Sequence, residues 1–227
     1  MKKELKMLMV DDHPVIIEAY KNILASDRIA DKYDFNIDTA INCDDAIDKI
    51  NMAAKNGHYD MLFLDIQLPP SADGSIISGE DLAVYAKKLL PKSKILILTT
   101  FNDNHRIQNI LKTAQPDALL IKDDLTSKEL LKAINAIVHN DSYYSNTVTK
   151  NLKKQSVNID EAILDDINRK IIFFLSKGIK TKDLTKHINL SLSAIEKRKG
   201  HIRNIFELEK SSDEDILIEA KKRGFIE

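Results

Sequence analysis

The chain is poor in cysteine, tryptophan and glycine, and it lacks long apolar runs. A single cysteine, Cys43, among 227 residues excludes an internal disulfide and a thiolate metal cluster. The six histidines show no metal-ligand spacing, and no glycine-rich nucleotide loop is present. Because no run of about 18 apolar residues occurs and the lysine-rich start leads into no signal-peptide core, we expect a cytoplasmic protein that does not contact a membrane.

Four short apolar runs each end in polar side chains. Short apolar runs that alternate with helical patterns predict the parallel strands of a doubly wound sheet. The carboxyl ends of such strands form the edge at which ligands bind. Oxygen ligands there suit Mg²⁺, and a cation together with an ammonium group suits a phosphoryl group. The runs span 8–10, 61–64, 95–98 and 118–121, and they end at Asp11 and Asp12, at Asp65, at Thr99 and at Lys122.

The complete pattern predicts an α/β fold with a doubly wound, five-stranded parallel sheet, followed by a smaller all-α part. Strands are expected near residues 6–11, 35–40, 60–65, 94–100 and 117–122. Helices between and after them are expected near 14–26, 43–56, 79–90, 103–114 and 126–139. A polar linker follows, with room for one short helix and with Tyr143 and Tyr144 available to dock on the first domain. Beyond it, helices are expected near 161–177, 181–188, 192–206 and 212–223.

The strand ends resemble the receiver domain of two-component response regulators, which has a flavodoxin-like fold. The resemblance covers roughly residues 5–138 and rests on four motifs in the family's order. They are the acid pair Asp11-Asp12, then Asp65 with the Ile-Gln-Leu-Pro that follows it, then Leu98-Thr99, and finally Ile121-Lys122-Asp123. It implies that Asp65 accepts a phosphoryl group from a sensor histidine kinase. It further implies a switch hydroxyl at Thr99 and a phosphate-pairing cation at Lys122.

The same resemblance implies a Mg²⁺ site made of Asp11, Asp12, Asp65 and Gln67. Asp12 would bind the ion directly, Asp11 mostly through water, and Gln67 through its backbone carbonyl. A metal-dependent phosphatase would also use an aspartate nucleophile, but it needs a second carboxylate two residues later, where this chain has Gln67.

Two features depart from the receiver pattern. The loop after Asp65 is about five or six residues longer than usual before the helix that Gly79 opens. It is interpreted as a surface extension, or alternatively as a loop that limits water access or shapes kinase choice. Leu119 stands where receivers usually carry an aromatic residue, so the usual inward turn of an aromatic ring cannot apply literally. Either Leu119 moves instead, or the coupling runs through the fourth helix.

The C-terminal part differs from the front half in charge. Residues 150–227 hold 17 Lys and Arg against 13 Asp and Glu, whereas residues 1–149 hold 17 against 22. This asymmetry predicts two domains with different partners. In the helix near 192–206, an apolar stripe is expected to pack inward. The stripe consists of Ile195, Ile202, Ile205 and Phe206.

Residues 174–184 and 191–198 resemble the helix-turn-helix of LuxR/NarL-type DNA-binding domains, although Ala194, Ile195 and Glu196 replace the family's usual residues. Gly178 suits the end of one helix and Ser191 the cap of the next. The resemblance implies that the helix near 192–206 enters the major groove of double-stranded DNA. Its expected DNA contacts are Ser193, Lys197, Arg198 and His201, with Lys199 and Arg203 also expected toward solvent.

The sequence therefore predicts a phosphorylation-controlled transcription regulator rather than an enzyme with a separate substrate. Its expected parts are a receiver at 1–139, a linker at 140–160 and a DNA-binding domain at 161–227, and phosphorylation is expected to favour a homodimer. The alternative is a receiver whose helical domain binds protein or RNA, because Glu196 lies within the expected recognition helix.

Overall fold

The computed structural model describes residues 2–26, 29–153, 163–209 and 211–226. The chain divides into two compact units. The first comprises Met1–Asn102 with Ala114–Lys154, and the second comprises Asp103–Thr113 with Gln155–Glu227. Within the described ranges, no helix is both long enough and apolar enough to cross a membrane.

The first unit is built on a parallel β-sheet with the strand order β2-β1-β3-β4-β5-β6. Every residue of β3 and β5 is buried, as expected of strands in the middle of a covered parallel sheet. The predicted parallel α/β fold is confirmed, but the sheet has six strands instead of five. The strands are β1 (Lys3–Val10), β2 (Tyr33–Ala40), β3 (Met61–Asp65), β4 (Lys94–Thr99), β5 (Ala118–Ile121) and β6 (Tyr143–Tyr144).

The helices up to residue 153 follow the predicted order with one short addition, α2, and α7 is the short helix for which the linker had room. Side chains of Asn42, Ser78 and Thr126 cap α3, α4 and α6 by accepting a backbone N–H three residues later, which satisfies a donor that the helix leaves free. The helices are α1 (Pro14–Ser26), α2 (Ile29–Lys32), α3 (Cys43–Asn56), α4 (Gly79–Leu89), α5 (Asn104–Thr113), α6 (Ser127–Val138) and α7 (Asn146–Lys153).

The core of the first unit lies between the sheet and its helices. The ring centroids of Tyr20 on α1 and Phe63 on β3 lie 5.1 Å apart, a favourable distance for an aromatic pair. Ile134 and Ile137 of α6 belong to the same buried cluster. This packing fixes β3, and therefore the position of Asp65 at its end.

The described residues of the second unit are helical, as predicted. Besides α5 it contains α8 (Asp166–Ser176), a 3-10 helix (Thr181–Lys186), α9 (Leu192–Ile205) and α10 (Asp213–Lys222). The expected apolar stripe of α9 is confirmed, since its four residues are buried in the core of this unit. Helix α5 joins the unit through Asn109, whose Oδ1 accepts the Leu164 N–H at 2.8 Å, and through Arg106, whose guanidinium lies 4.9 Å from the Phe225 ring centroid.

Candidate functional site

Polar side chains converge at the carboxyl edge of four adjacent strands. Asp65 is the last residue of β3 and Thr99 the last of β4, while Asp11 and Lys122 directly follow β1 and β5. The register pairs Asp65 with Leu98 and Thr99 with Ile121. Because neighbouring parallel strands end at the same level, residues far apart in sequence meet at one place.

Lys122 bridges two buried carboxylates. Its Nζ donates to Asp11 Oδ2 at 3.1 Å and to Asp65 Oδ2 at 2.9 Å. Asp11 and Asp65 are only 3% and 2% exposed. Without this cation, keeping either carboxylate charged would carry a large desolvation penalty. The structure thus brings together three of the four charged residues predicted for the site; the fourth is Asp12.

The electrostatics of Asp65 result from two opposed effects. Burial raises the pKa of Asp65, and the hydrogen bond and positive charge of Lys122 oppose that rise. For Lys122, burial lowers the pKa, but the two carboxylates outweigh it and the pKa lies above its ordinary value. The second carboxylate oxygen, Asp65 Oδ1, is buried and has no hydrogen-bond partner. An acceptor left in this way is costly, and it fits a carboxylate meant to meet a cation or an incoming phosphorus atom.

Asp12 and His13 lie on the exposed side of Asp11. Asp12 is one-third exposed, with Oδ1 at 2.7 Å from His13 Nδ1, and the His13 N–H donates to Asp11 Oδ1 at 2.9 Å. Ligand atoms of these three residues lie within 4.8 Å of one another. Two carboxylates at this spacing provide the oxygen donors that Mg²⁺ prefers.

The two neighbouring threonines occupy different environments. Thr99 is fully buried, and its hydroxyl oxygen accepts the Phe101 N–H at 3.1 Å. Thr100 is exposed, and its hydroxyl donates to Gln67 Oε1 at 2.8 Å. Gln67 is therefore tied by its side chain to the end of the next strand, although only its backbone carbonyl was expected to act.

The extended loop after Asp65 is ordered by its own polar groups. The Ser71 hydroxyl accepts the Ile76 N–H at 3.0 Å and donates to Asp73 at 2.6 Å. The Asp44 carboxylate accepts the Ala72 N–H at 3.0 Å, which ties the loop to α3. Sequence reasoning located this insertion but gave no indication of these internal bonds, because they depend on the folded path of the loop.

Leu119 is fully buried. It pairs with Ile97 on one side and with Tyr144 of β6 on the other. The side chain that replaces the usual aromatic residue is thus part of the core. The aromatic residues Tyr143 and Tyr144 instead stand on the added strand β6.

Helix α9 has a polar outer face with few free charges. Ser193, Glu196, Lys197 and His201 are exposed. Arg198 is partly buried, and its guanidinium pairs with the Asp165 carboxylate and donates to Asn168 Oδ1 at 3.3 Å. Of the expected DNA contacts, three are exposed and the fourth is held within the unit.

The expectation that Lys199 points to solvent is wrong. Lys199 is 4% exposed, and its Nζ lies 2.8 Å from Asp213 Oδ1 and donates to the Thr181 hydroxyl at 2.7 Å. Arg203 joins the same group, with Nη2 at 3.2 Å from Asp213 Oδ1. These cations connect α9 to α10, because a buried charge needs a paired partner.

Comparison with known proteins agrees with this geometry. Residues 7–135 match the response regulator receiver domain family. Because that match spans more than half of the chain, the protein belongs to the response regulators. Oxygen regulatory protein NreC of Staphylococcus epidermidis is 24% identical over 230 residues, which cover 96% of this chain and 98% of that protein. NreC of Staphylococcus carnosus is 24% identical over 229 residues.

Solved structures resemble the chain over nearly its whole length. RcsB from Salmonella enterica serovar Typhimurium, bound to the promoter rprA in the presence of the phosphomimetic BeF3⁻, aligns with a TM-score of 0.69 at 18% identity. The alignment covers 96% of this chain and 99% of that one. RcsB bound to the promoter P1flhDC aligns with a TM-score of 0.67 at 20% identity. At such low identity, the likeness shows that the fold is shared.

Proposed function

We propose that Asp65 accepts a phosphoryl group from a sensor histidine kinase and that this modification controls DNA binding by the helical unit. The observation that carries the first half is the geometry of Asp65. One carboxylate oxygen is held by Lys122 at 2.9 Å, and the other is buried without a partner. Lys122 thus fixes the orientation of the carboxylate, and the unpartnered oxygen is the one left to act as the nucleophile.

In the proposed reaction, Asp65 Oδ1 attacks the phosphorus atom of a phosphohistidine. The new O–P bond forms as the P–N bond breaks, and the imidazole of the kinase keeps the electron pair and takes up a proton. Lys122 then pairs with a phosphoryl oxygen, and the Thr99 hydroxyl donates to another. Thr99 ends β4, the strand next to β3, and Lys122 follows β5, the strand beyond it.

The acid pair fits a divalent cation. Asp12 would bind Mg²⁺ directly, Asp11 through water, and Asp65 and the Gln67 carbonyl would complete the site. The exposed position of Asp12 and the open oxygen of Asp65 support this assignment. Bound Mg²⁺ supplies charge neutralisation between the carboxylates and the phosphoryl oxygens.

For the second half of the proposal, α9 is the DNA-reading helix. Ser193, Lys197 and His201 are exposed on it, and the RcsB structures bound to promoters support a nucleic-acid role for this fold. Arg198 would have to exchange Asp165 for a DNA phosphate. Two paired chains would read two half-sites and gain affinity from their linkage, so we propose a homodimer on phosphorylation.

A protein or RNA partner is the second candidate. The Glu196 carboxylate is 53% exposed on the same helix face, where it would repel DNA phosphates. The proposed division keeps a receiver at 1–139, a linker at 140–160 and a helical output domain at 161–227. Residues 154–160 of that linker lie outside the described residues.

Two experiments test the proposal in sequence. Incubation with acetyl phosphate and Mg²⁺ should add one phosphoryl group, and Asp65→Asn should abolish this phosphorylation. Label on Asp11 or Asp12 in the wild type would contradict the assignment.

A genomic DNA pull-down with phosphorylated and unphosphorylated protein should then recover specific fragments. If the double variant Lys197→Ala/Arg198→Ala recovers these DNA fragments as well as the wild type does, the helical unit does not read DNA through α9.

A further inference from the structure

The segment after α6 is joined to the edge of the sheet, next to the strand that leads to Lys122. β6 pairs in parallel with β5, matching Ala118 with Tyr143 and Leu119 with Tyr144. The Ser145 N–H donates to Leu119 O at 3.1 Å, continuing the ladder beyond the strand. The residues from Tyr143 to Lys153 are called here the linker segment, and its first three residues are hydrogen-bonded along the strand that leads to Lys122.

Asp124 anchors this segment. Its Oδ2 accepts the Ser145 hydroxyl and the Thr147 N–H, each at 2.8 Å, and its Oδ1 accepts the Thr147 hydroxyl at 2.9 Å. Burial raises the pKa of Asp124 more than any other single effect, but the hydrogen bonds from Thr147 and Ser145 together outweigh it, so the pKa is lowered. The carboxylate is thus charged at neutral pH, and charged acceptors make the stronger hydrogen bonds.

These bonds surround Lys122 on both sides. Ser145 is 1% exposed, and its hydroxyl oxygen accepts the N–H of Ile121, the residue before Lys122, at 3.3 Å. Asp124 closes the single 3-10 turn that starts at Lys122. The backbone that carries the phosphate-pairing ammonium is therefore held by the linker segment at the residue before it and two residues after it.

A second contact joins the linker segment to the loop after β4. Asn151 Nδ2 donates to the carbonyl oxygen of Asn102 at 3.3 Å, three residues after Thr99. The linker segment thus holds the backbone on both sides of Lys122 and also contacts the loop that follows Thr99.

We propose that Asp124 is a positioning residue for Lys122 and that the linker segment consequently responds to phosphorylation of Asp65. The inference rests on the proposed role of Lys122 as the phosphate-pairing cation. If anchoring the segment favours one position of Lys122, then a phosphoryl group that favours the same position must stabilise the anchor by an equal free energy. The signal would leave the receiver along the chain itself.

The first test is the rate of phosphorylation of the full chain by acetyl phosphate with Mg²⁺. Asp124→Asn should slow phosphorylation about threefold to tenfold, which corresponds to the free energy of about one ordinary hydrogen bond. Asp123→Asn is the matched control, since it removes the same charge from the exposed neighbouring residue. Thr147→Val should also slow the reaction, and Thr147→Ser, which keeps the hydroxyl, should restore it. A general loss of structure would not follow that pattern.

The second test is hydrogen exchange of the backbone amides of the linker segment, before and after phosphorylation verified on Asp65 by mass. In the wild type and in Asp123→Asn, exchange at these amides should change by about threefold or more. In Asp124→Asn the change should be lost. The inference is overturned if the wild type is phosphorylated on Asp65 and its linker segment exchanges at the same rate as before. It is also overturned if Asp124→Asn matches Asp123→Asn in both tests. Phosphorylation of Asp65→Asn would instead overturn the proposed function.

Discussion

Replacing Lys122 by methionine should destabilise the first unit strongly, because it leaves two carboxylates buried without their cation. Asp11 and Asp65 accept hydrogen bonds from the same Nζ at 3.1 Å and 2.9 Å. Removing one partner of a buried ion pair costs about 3–5 kcal/mol. The Lys122 side chain is 21% exposed, so we expect the lower end of that range, about 3 kcal/mol.

A surface pair in the same unit supplies the matched control. Lys94 Nζ lies 3.1 Å from Asp117 Oδ1, with side chains 31% and 25% exposed. Lys94→Met removes the same charge and a similar volume, but from a solvated pair, and should cost about 1 kcal/mol or less. The difference between the two variants isolates the effect of burial.

The pH dependence has a defined sign. Burial already raises the pKa of Asp65 in the wild type, and without Lys122 it should rise further. A raised pKa means that the folded protein binds the proton more tightly. Relative to the wild type, Lys122→Met is therefore most stable below the ordinary carboxyl pKa of 3.8. This relative stability is lost as the pH rises through the pKa that Asp65 has in the folded variant.

Native-state hydrogen exchange in urea, with a chelator present, would measure these effects on peptides from β3 and β4. This choice reports on the first unit alone, and the chain has no tryptophan for fluorescence. A Lys122→Met protein no less stable than Lys94→Met at pH 7 would refute the reasoning, as would a deficit that grows on acidification.

Three further outcomes follow from the same coordinates. In Gly79→Ala, the new Cβ would lie 1.8 Å from the backbone oxygen of Asp65. Denaturant titration should therefore show that the free energy of unfolding falls by about 3 kcal/mol or more. In the control Gly57→Ala, where the nearest atom lies 4.0 Å from the new Cβ, it should change by no more than about 0.5 kcal/mol. Mg²⁺ should raise the melting temperature by relieving carboxylate repulsion, and Asp12→Ala should remove most of that rise; an unchanged response would mean that the ligand set is different. Gly200→Ala, where a Cβ meets nothing within 4 Å, should stabilise the second unit by about 0.5–1 kcal/mol, and a lower melting temperature would contradict the open environment.

The sequence by itself determined the strands and the edge at which the site forms. Each apolar run specifies a buried strand, and the residue after the run must emerge at the strand end, so Asp65, Thr99 and Lys122 could be placed from local pattern. The apolar stripe of α9 followed from helical spacing in the same way. These features depend on neighbours within a few residues, which a sequence displays directly.

The tertiary structure alone decided which charges are paired and how the sheet ends. Lys199 and Arg198 stand next to each other and look alike in sequence, yet one is buried against Asp213 and the other meets Asp165. Strand β6 has only two residues, too few for an alternating pattern, and the Asp124 anchor joins residues more than 20 positions apart. The packing of whole helices and strands determines these partners. The sequence around a side chain does not indicate which distant residues the fold will place next to it.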